Sequence, residues 1–123
     1  MPGIPVRRIL VVDDNVDSAE SLTVLLQVSG HDVCAAHSGD AALAAARDFR
    51  PDVVLLDIGM PGMDGHEVAR RLREEHRDLV LVAVTGYGLE RDRLDSKQAG
   101  FDHHLVKPVD PETLRGLLAS LPS

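Results

Sequence analysis

Three continuous apolar runs recur at intervals along the chain, at 9–12, 53–56 and 79–84. Strands that are buried on both faces have this character, and they occur in parallel sheets that helices cover on both sides. Two further segments, 32–36 and 102–106, are more polar than these runs and fit strands at the edges of the same sheet. The pattern therefore predicts five strands in one parallel sheet.

Segments with the apolar periodicity of helices lie between these strands. Apolar residues recur at intervals of three and four over 42–49 and 114–121, and each set forms one stripe that must pack on a sheet. Capping residues mark the predicted helix starts, namely Ser38, Asp64 with Glu67, Asp110 before Pro111, and either Asp14 or Asn15. Gly30 and Gly100 suit helix ends. The segment 90–99 is the poorest helix, because it is polar and offers little apolar surface.

Five strand–helix units in 123 residues predict an α/β fold with an open, doubly wound parallel sheet. Of the two common strand orders, five strands favour the flavodoxin-like order 2-1-3-4-5 over the Rossmann order. This length supports one continuous core and not two, so we expect a single domain over 1–123 with its core at about 7–121.

Composition narrows the possible partners. A net charge of −7 and the lack of tryptophan oppose binding to nucleic acid. No apolar run approaches the ~20 residues that span a bilayer, and the first residues do not have the pattern of a signal peptide. The one cysteine, Cys34, cannot form an internal disulfide and favours a reducing compartment. We expect a cytoplasmic protein that contacts neither membrane nor nucleic acid.

Three carboxylates are predicted to meet at one edge of the sheet. In this strand order, ligands bind beyond the carboxyl ends of the strands, at the switch point between strands 1 and 3. Asp13 and Asp14 directly follow strand 1, and Asp57 ends strand 3. Mutual repulsion among them is costly unless a cation offsets it. A divalent ion with oxygen ligands suits this set, and Mg²⁺ is the natural candidate.

A hydroxyl and an ammonium are expected at the same edge. Thr85 follows strand 4 and Lys107 follows strand 5, so together they can hold phosphoryl oxygens beside a metal-bound carboxylate. Gly59 and Gly86 lack a Cβ and leave room for a phosphoryl group to reach backbone N–H groups. Asp57 then has two possible roles, as metal ligand and as nucleophile.

These motifs, taken together, resemble the receiver domains of two-component response regulators over about 8–121. The matching positions are Asp13-Asp14, Asp57 within 55–65, Thr85-Gly86 and Lys107-Pro108. The resemblance implies that a sensor histidine kinase or a histidine phosphotransfer domain phosphorylates Asp57. The stretch 100–110 is similar to receivers of hybrid histidine kinases, so the domain is expected to be fused or tethered to one or to stand alone.

The resemblance also assigns roles to single residues. It implies that Asp14 and the backbone carbonyl of Gly59 bind Mg²⁺ directly and that Asp13 acts mainly through water. Lys107 pairs with phosphoryl oxygens or with Asp57, and Thr85 binds a phosphoryl oxygen and triggers the conformational switch. The resemblance places the family's switch position three residues before Lys107, where Tyr or Phe is usual, so the candidate switch residue here is His104.

Two other functions are consistent with part of the pattern. A metal-dependent phosphatase like the haloacid dehalogenases also uses an aspartyl nucleophile, but it needs a second acid two residues later, where this chain has Gly59. An interaction domain with a receiver fold and no phosphorylation is opposed by the complete set of motif residues. We therefore expect a signalling phosphoacceptor that promotes its own phosphoryl transfer and autodephosphorylation, rather than an enzyme.

His31 and His76, near helix ends, are expected on the surface, while His103 and His104 should point to opposite faces of their strand.

Overall fold

The computed structural model describes residues 6–58, 65–85, 100–107 and 109–121. The described part alternates strands and helices along the chain. Its elements are β1 (Arg8–Val12), α1 (Val16–Val28), β2 (Asp32–Ala36), α2 (Gly39–Phe49), β3 (Val53–Asp57), α3 (Gly65–Glu75), β4 (Val80–Thr85), β5 (His103–Val106) and α4 (Pro111–Ser120).

The five strands form one parallel sheet in the order β2-β1-β3-β4-β5. The predicted fold class, strand order and edge positions of the two polar strands are therefore confirmed. In the register, Val12 lies beside Leu56, and Asp57 lies beside Val84. Because all strands run the same way, the carboxyl ends of β1, β3, β4 and β5 lie at one edge of the sheet.

The two faces of the sheet carry separate apolar cores because successive strand side chains point to opposite sides. On one face, α2 and α3 contribute Ala42, Ala46, Val68, Ala69 and Leu72. On the other, α1 and α4 contribute Ala19, Leu26, Leu114 and Leu118. The strands between them are buried almost throughout, which explains their uninterrupted apolar sequences.

Side-chain caps fix the helix starts close to the predicted positions. Of the two candidates before α1, Asn15 is the cap, since its side chain accepts a hydrogen bond from the Ser18 backbone N–H. Ser38 and Asp110 cap α2 and α4 as predicted. Gly30, two residues after the end of α1, takes a φ of +97°, a conformation that favours glycine. The predicted cap Asp64 and the weak helix at 90–99 lie outside the described residues.

His31 corrects the sequence interpretation. Its position near a helix end predicted a surface residue, but it is buried, with 6% of its surface exposed. Its Nδ1 accepts the Arg7 backbone N–H at 3.1 Å, and the Arg7 guanidinium in turn donates to the carbonyl of Leu121 at 2.9 Å. His31 thus belongs to a polar contact that joins the starts of β1 and β2 to the end of α4.

Among the described residues, no helix combines the length and the apolar character that crossing a membrane requires.

Candidate functional site

Three carboxylates meet beyond the ends of β1 and β3. Each of Asp13, Asp14 and Asp57 offers an oxygen within 4.8 Å of the other two. Asp13 and Asp57 are buried, at 6% and 7% exposure, whereas Asp14 faces solvent. The cluster follows directly from the register, since β1 and β3 are neighbours and end side by side. The predicted convergence of the three acids at the switch point is therefore what the structure contains.

Lys107 reaches this cluster from the end of β5. Its Nζ lies 2.5 Å from Asp57 Oδ2 and 3.3 Å from Asp13 Oδ2. The backbone contributes to its placement, because the Lys107 N–H donates to the carbonyl of Thr85 at 2.7 Å and extends the pairing of β4 with β5. The ammonium therefore bridges two buried carboxylates that come from different strands.

The charges at this site are only partly balanced. Burial raises the pKa of the Asp13 carboxyl, and the nearby charge of Asp57 raises it further, against the lowering by the Asn15 N–H and by Lys107. Burial by itself lowers the pKa of Lys107, but the hydrogen bond and charge of Asp57, joined by Asp13, outweigh it and raise that pKa overall. Among the described residues, one ammonium lies beside three carboxylates, and this excess of negative charge fits a bound divalent cation.

Backbone and side-chain contacts hold Asp13 in place. Its N–H donates to the carbonyl of Ala36 at 3.1 Å, and its Oδ1 accepts the Asn15 N–H at 2.9 Å. The Nδ1 of His37 lies 3.0 Å from the Asp13 carbonyl oxygen. Sequence reasoning missed His37, because a residue that follows the edge strand β2 gives no sign in the sequence that it touches the end of β1.

Gly65 is a second position whose role the sequence did not reveal. A Cβ added there would lie 2.8 Å from the Ile58 side chain and 2.9 Å from the Ile58 Cα. Glycine therefore lets the start of α3 approach the backbone directly after Asp57.

Thr85 and His104 meet at the same edge of the sheet. Thr85 ends β4 with 1% of its surface exposed, and its Oγ1 lies 2.7 Å from His104 Nε2. A cavity of about 610 Å³ extends from the acidic cluster along α1. Its lining includes Asp13, Asp57 and Lys107 at one end and Leu22 and Leu25 further along α1.

Of the predicted site residues, the structure brings Asp13, Asp14, Asp57 and Lys107 into one cluster, with Thr85 and His104 paired at the same edge. Gly59 and Gly86 lie outside the described residues, so their roles stay predictions.

The sequence profile of the response regulator receiver domain matches residues 9–119. The chain belongs to this family. The resemblance drawn from the motifs is thereby confirmed, and the receiver family is one of signalling phosphoacceptors in two-component systems, which favours that interpretation over a phosphatase.

Individual relatives agree with the assignment. Protein PilH of Pseudomonas aeruginosa is 41% identical over 109 residues, which cover 87% of this chain and 90% of PilH. The DNA-binding response regulator MtrA of Mycobacterium tuberculosis is 40% identical over 108 residues, covering 88% of this chain but only 47% of MtrA. This receiver domain thus spans nearly all of one relative and about half of the other.

Solved structures share the fold closely. The chemotaxis protein CheY4 of Vibrio cholerae superposes with a TM-score of 0.86 at 31% identity, over 93% of this chain and 97% of that chain. The receiver domain of NtrX from Brucella abortus gives a TM-score of 0.83 at 32% identity, over 89% and 92% of the two chains.

Proposed function

We propose that Asp57 of this receiver domain accepts a phosphoryl group from a phosphohistidine. The observation that carries the proposal is the contact of Lys107 Nζ with Asp57 Oδ2, at 2.5 Å, beside two further carboxylates. A buried aspartate held between an ammonium and an acidic cluster has the surroundings of a nucleophile whose product bears extra negative charge.

The transfer is a displacement at phosphorus. A carboxylate oxygen of Asp57 forms the new P–O bond, while the P–N bond to the donor imidazole breaks and the ring nitrogen leaves with the electron pair. Lys107, already within reach of Asp57, stabilises the charge on the phosphoryl oxygens. The hydroxyl of Thr85 donates to one of these oxygens, as the family resemblance implies.

Asp13, Asp14 and Asp57 would hold Mg²⁺, together with the carbonyl of Gly59 that the resemblance assigns to the same ion. When bound, the ion offsets the negative charge that gathers on the phosphoryl group. The excess of carboxylates over ammonium groups in the cluster supports this assignment.

The donor is a sensor histidine kinase or a histidine phosphotransfer domain, either separate or in the same polypeptide as a hybrid kinase. Phosphorylation then changes a partner-binding face near β5. The unpaired Cys34 favours a reducing compartment, so we place the reaction in the cytoplasm.

The receiver domain also catalyses loss of its own phosphoryl group. Water must attack in line with the bond between Asp57 and phosphorus, and Gly59 has no side chain to orient that water. We therefore expect slow autodephosphorylation, which the decay of the labelled protein after removal of the donor measures.

Labelling with acetyl phosphate in Mg²⁺ tests the proposal. Wild type should form an acid-stable, hydroxylamine-sensitive acylphosphate, and Asp57→Asn should form none while it keeps the fold. Asp48→Asn is the matched control, since Asp48 is an exposed aspartate near the end of α2, and it should label as wild type does. Undiminished labelling of Asp57→Asn refutes the assignment, and rapid turnover without a stable acylphosphate indicates a phosphatase instead.

A further inference from the structure

The hydroxyl of Thr85 has two neighbours in the structure. Its Oγ1 lies 2.7 Å from Nε2 of His104 and 3.5 Å from the carbonyl oxygen of Leu105. Thr85 is almost wholly buried, with 1% exposed, so these contacts rather than solvent determine where its proton points. A Thr85 proton that turns to another acceptor therefore has to leave one of these contacts.

The contact between Thr85 and His104 follows from the strand register. His104 lies beside Ala83, two residues before Thr85, so its side chain is on the same face of the sheet as that of Thr85. His103 lies beside Val82, which belongs to the core on the opposite face. The predicted opposite orientation of the two histidines is thereby confirmed, and only His104 faces the hydroxyl.

Counting protons decides the direction of the hydrogen bonds. A threonine hydroxyl has one proton to donate and lone pairs that accept. The carbonyl of Leu105 can only accept, so the Thr85 proton must point to it if that contact is a hydrogen bond. In that case the shorter contact exists only if Nε2 of His104 carries a proton and donates to Oγ1.

We propose that His104 is a positioning residue for the Thr85 hydroxyl, with Nε2–H as the donor and Oγ1 as the acceptor. The Thr85 proton then points to the Leu105 carbonyl in the resting protein and turns to a phosphoryl oxygen after transfer to Asp57. His104 keeps its donor bond in both states and makes the hydroxyl a better donor through cooperative polarisation. This inference rests on the proposed phosphorylation of Asp57.

The alternative tautomer gives the opposite behaviour. With an unprotonated Nε2, His104 would accept a hydrogen bond from the Thr85 hydroxyl and compete with the phosphoryl oxygen for that donor. Phosphorylation would then have to break the 2.7 Å contact. The two arrangements differ in a measurable property, namely whether Nε2 is protonated.

The protonation of Nε2 is read from long-range ¹H–¹⁵N spectra of the wild-type protein near pH 8. We expect the His104 Nε2 shift of a protonated ring nitrogen, both with Mg²⁺ alone and with Mg²⁺ and beryllofluoride, a mimic of the phosphoryl group. An unprotonated Nε2 of His104 in the protein bound to beryllofluoride overturns the proposal.

Variants test the effect on phosphoryl binding. His104→Leu removes the donor and should weaken beryllofluoride binding by about twofold, because the bond is present in both states and only its cooperative strengthening of the Thr85 donor bond is lost. His104→Gln restores an N–H donor and should recover most of the loss. His103→Leu is the matched control on the opposite face and should bind as wild type does. Amide spectra confirm that each variant is folded.

A double-mutant cycle separates positioning from general destabilisation. In a Thr85→Ala background, His104→Leu should cause no further loss of beryllofluoride affinity, because the hydroxyl on which His104 acts is absent. A loss in that background as large as in the wild-type background means that His104 acts elsewhere. Labelling of wild type and Asp57→Asn with acetyl phosphate in parallel keeps the two proposals apart. Absence of label on wild type defeats the phosphoacceptor function. Normal labelling of wild type together with unaltered beryllofluoride binding in His104→Leu defeats only this inference.

Discussion

At the carboxyl end of the sheet, two buried carboxylates share one half-buried ammonium, and a third carboxylate stands beside them. At the amino end, Arg73 of α3 donates to the carbonyls of Leu79 and Gly100 at 2.5 and 2.9 Å and to Asp102 at 2.6 Å. The same Asp102 oxygen accepts the Leu81 N–H at 2.9 Å. Both ends contain partly buried charges, but the amino end pairs one guanidinium with one carboxylate and backbone carbonyls, whereas the described part of the carboxyl end brings three carboxylates together around one ammonium.

The difference separates the stability of the fold from its chemistry. Charges with complete sets of partners cost little to bury and anchor the strands. Carboxylates held close together repel one another and favour the binding of a cation. The protein thus keeps an electrostatically unfavourable site at one end of a sheet that the other end holds in place.

The largest effect is expected from breaking the amino end. Arg73→Met removes the charged hydrogen bonds to three backbone carbonyls and to Asp102, so it should lower the free energy of unfolding by about 2 kcal/mol or more. Arg70→Met is the control, because within the described residues exposed Arg70 pairs with the half-exposed Glu67 one turn away, and it should change stability by about 0.5 kcal/mol or less. Urea denaturation measures both, and equal losses would contradict the contrast between the two ends.

An effect of opposite sign is expected at the carboxyl end. Asp14→Ala removes one of three mutually repelling carboxylates, so the metal-free protein should gain about 0.5 kcal/mol of stability. One unit charge at contact distance is worth on the order of 1–4 kcal/mol, so Mg²⁺ affinity should fall by about tenfold or more. Amide shifts followed through a Mg²⁺ titration measure the affinity. Equal affinity in wild type and variant would remove Asp14 from the metal site.

The smallest effect concerns pH and the contact of His31 with Arg7. Burial, and then the charge of Arg7, lower the pKa of His31 below its ordinary value. Its Nδ1 accepts the Arg7 N–H, so protonation breaks this bond. The neutral ring therefore stabilises the fold fully above the unfolded pKa of about 6.5, and this contribution is lost as pH falls from there through the lowered pKa of the folded state.

The variant His31→Asn isolates this contribution, since an amide oxygen can accept the same N–H but does not titrate in this range. Urea unfolding between pH 8 and 5 should show a steeper acid loss of stability for wild type than for the variant. Parallel pH curves would show that His31 is protonated equally in the folded and unfolded states.

Much of this molecule could be predicted from single stretches of sequence. Uninterrupted apolar runs predicted central strands because such strands are buried on both faces, and Ser38 and Asp110 predicted helix starts because a cap acts only on the following turn. Asp13, Asp57 and Lys107 were found because the strand order brings the ends of β1, β3 and β5 to one edge. The fold class and the acidic cluster were therefore accessible before any coordinates.

Contacts between segments distant in the sequence were decided only by the tertiary structure. His31 was expected on the surface, yet the packing of β1 and α4 buries it against Arg7. Gly65 contacts Ile58, and His37 contacts Asp13, through approaches of backbone that no local pattern encodes. The sequence by itself determined that a histidine, His104, occupies the switch position where the family usually has Tyr or Phe. Only the register of β4 with β5 placed its Nε2 beside the hydroxyl of Thr85.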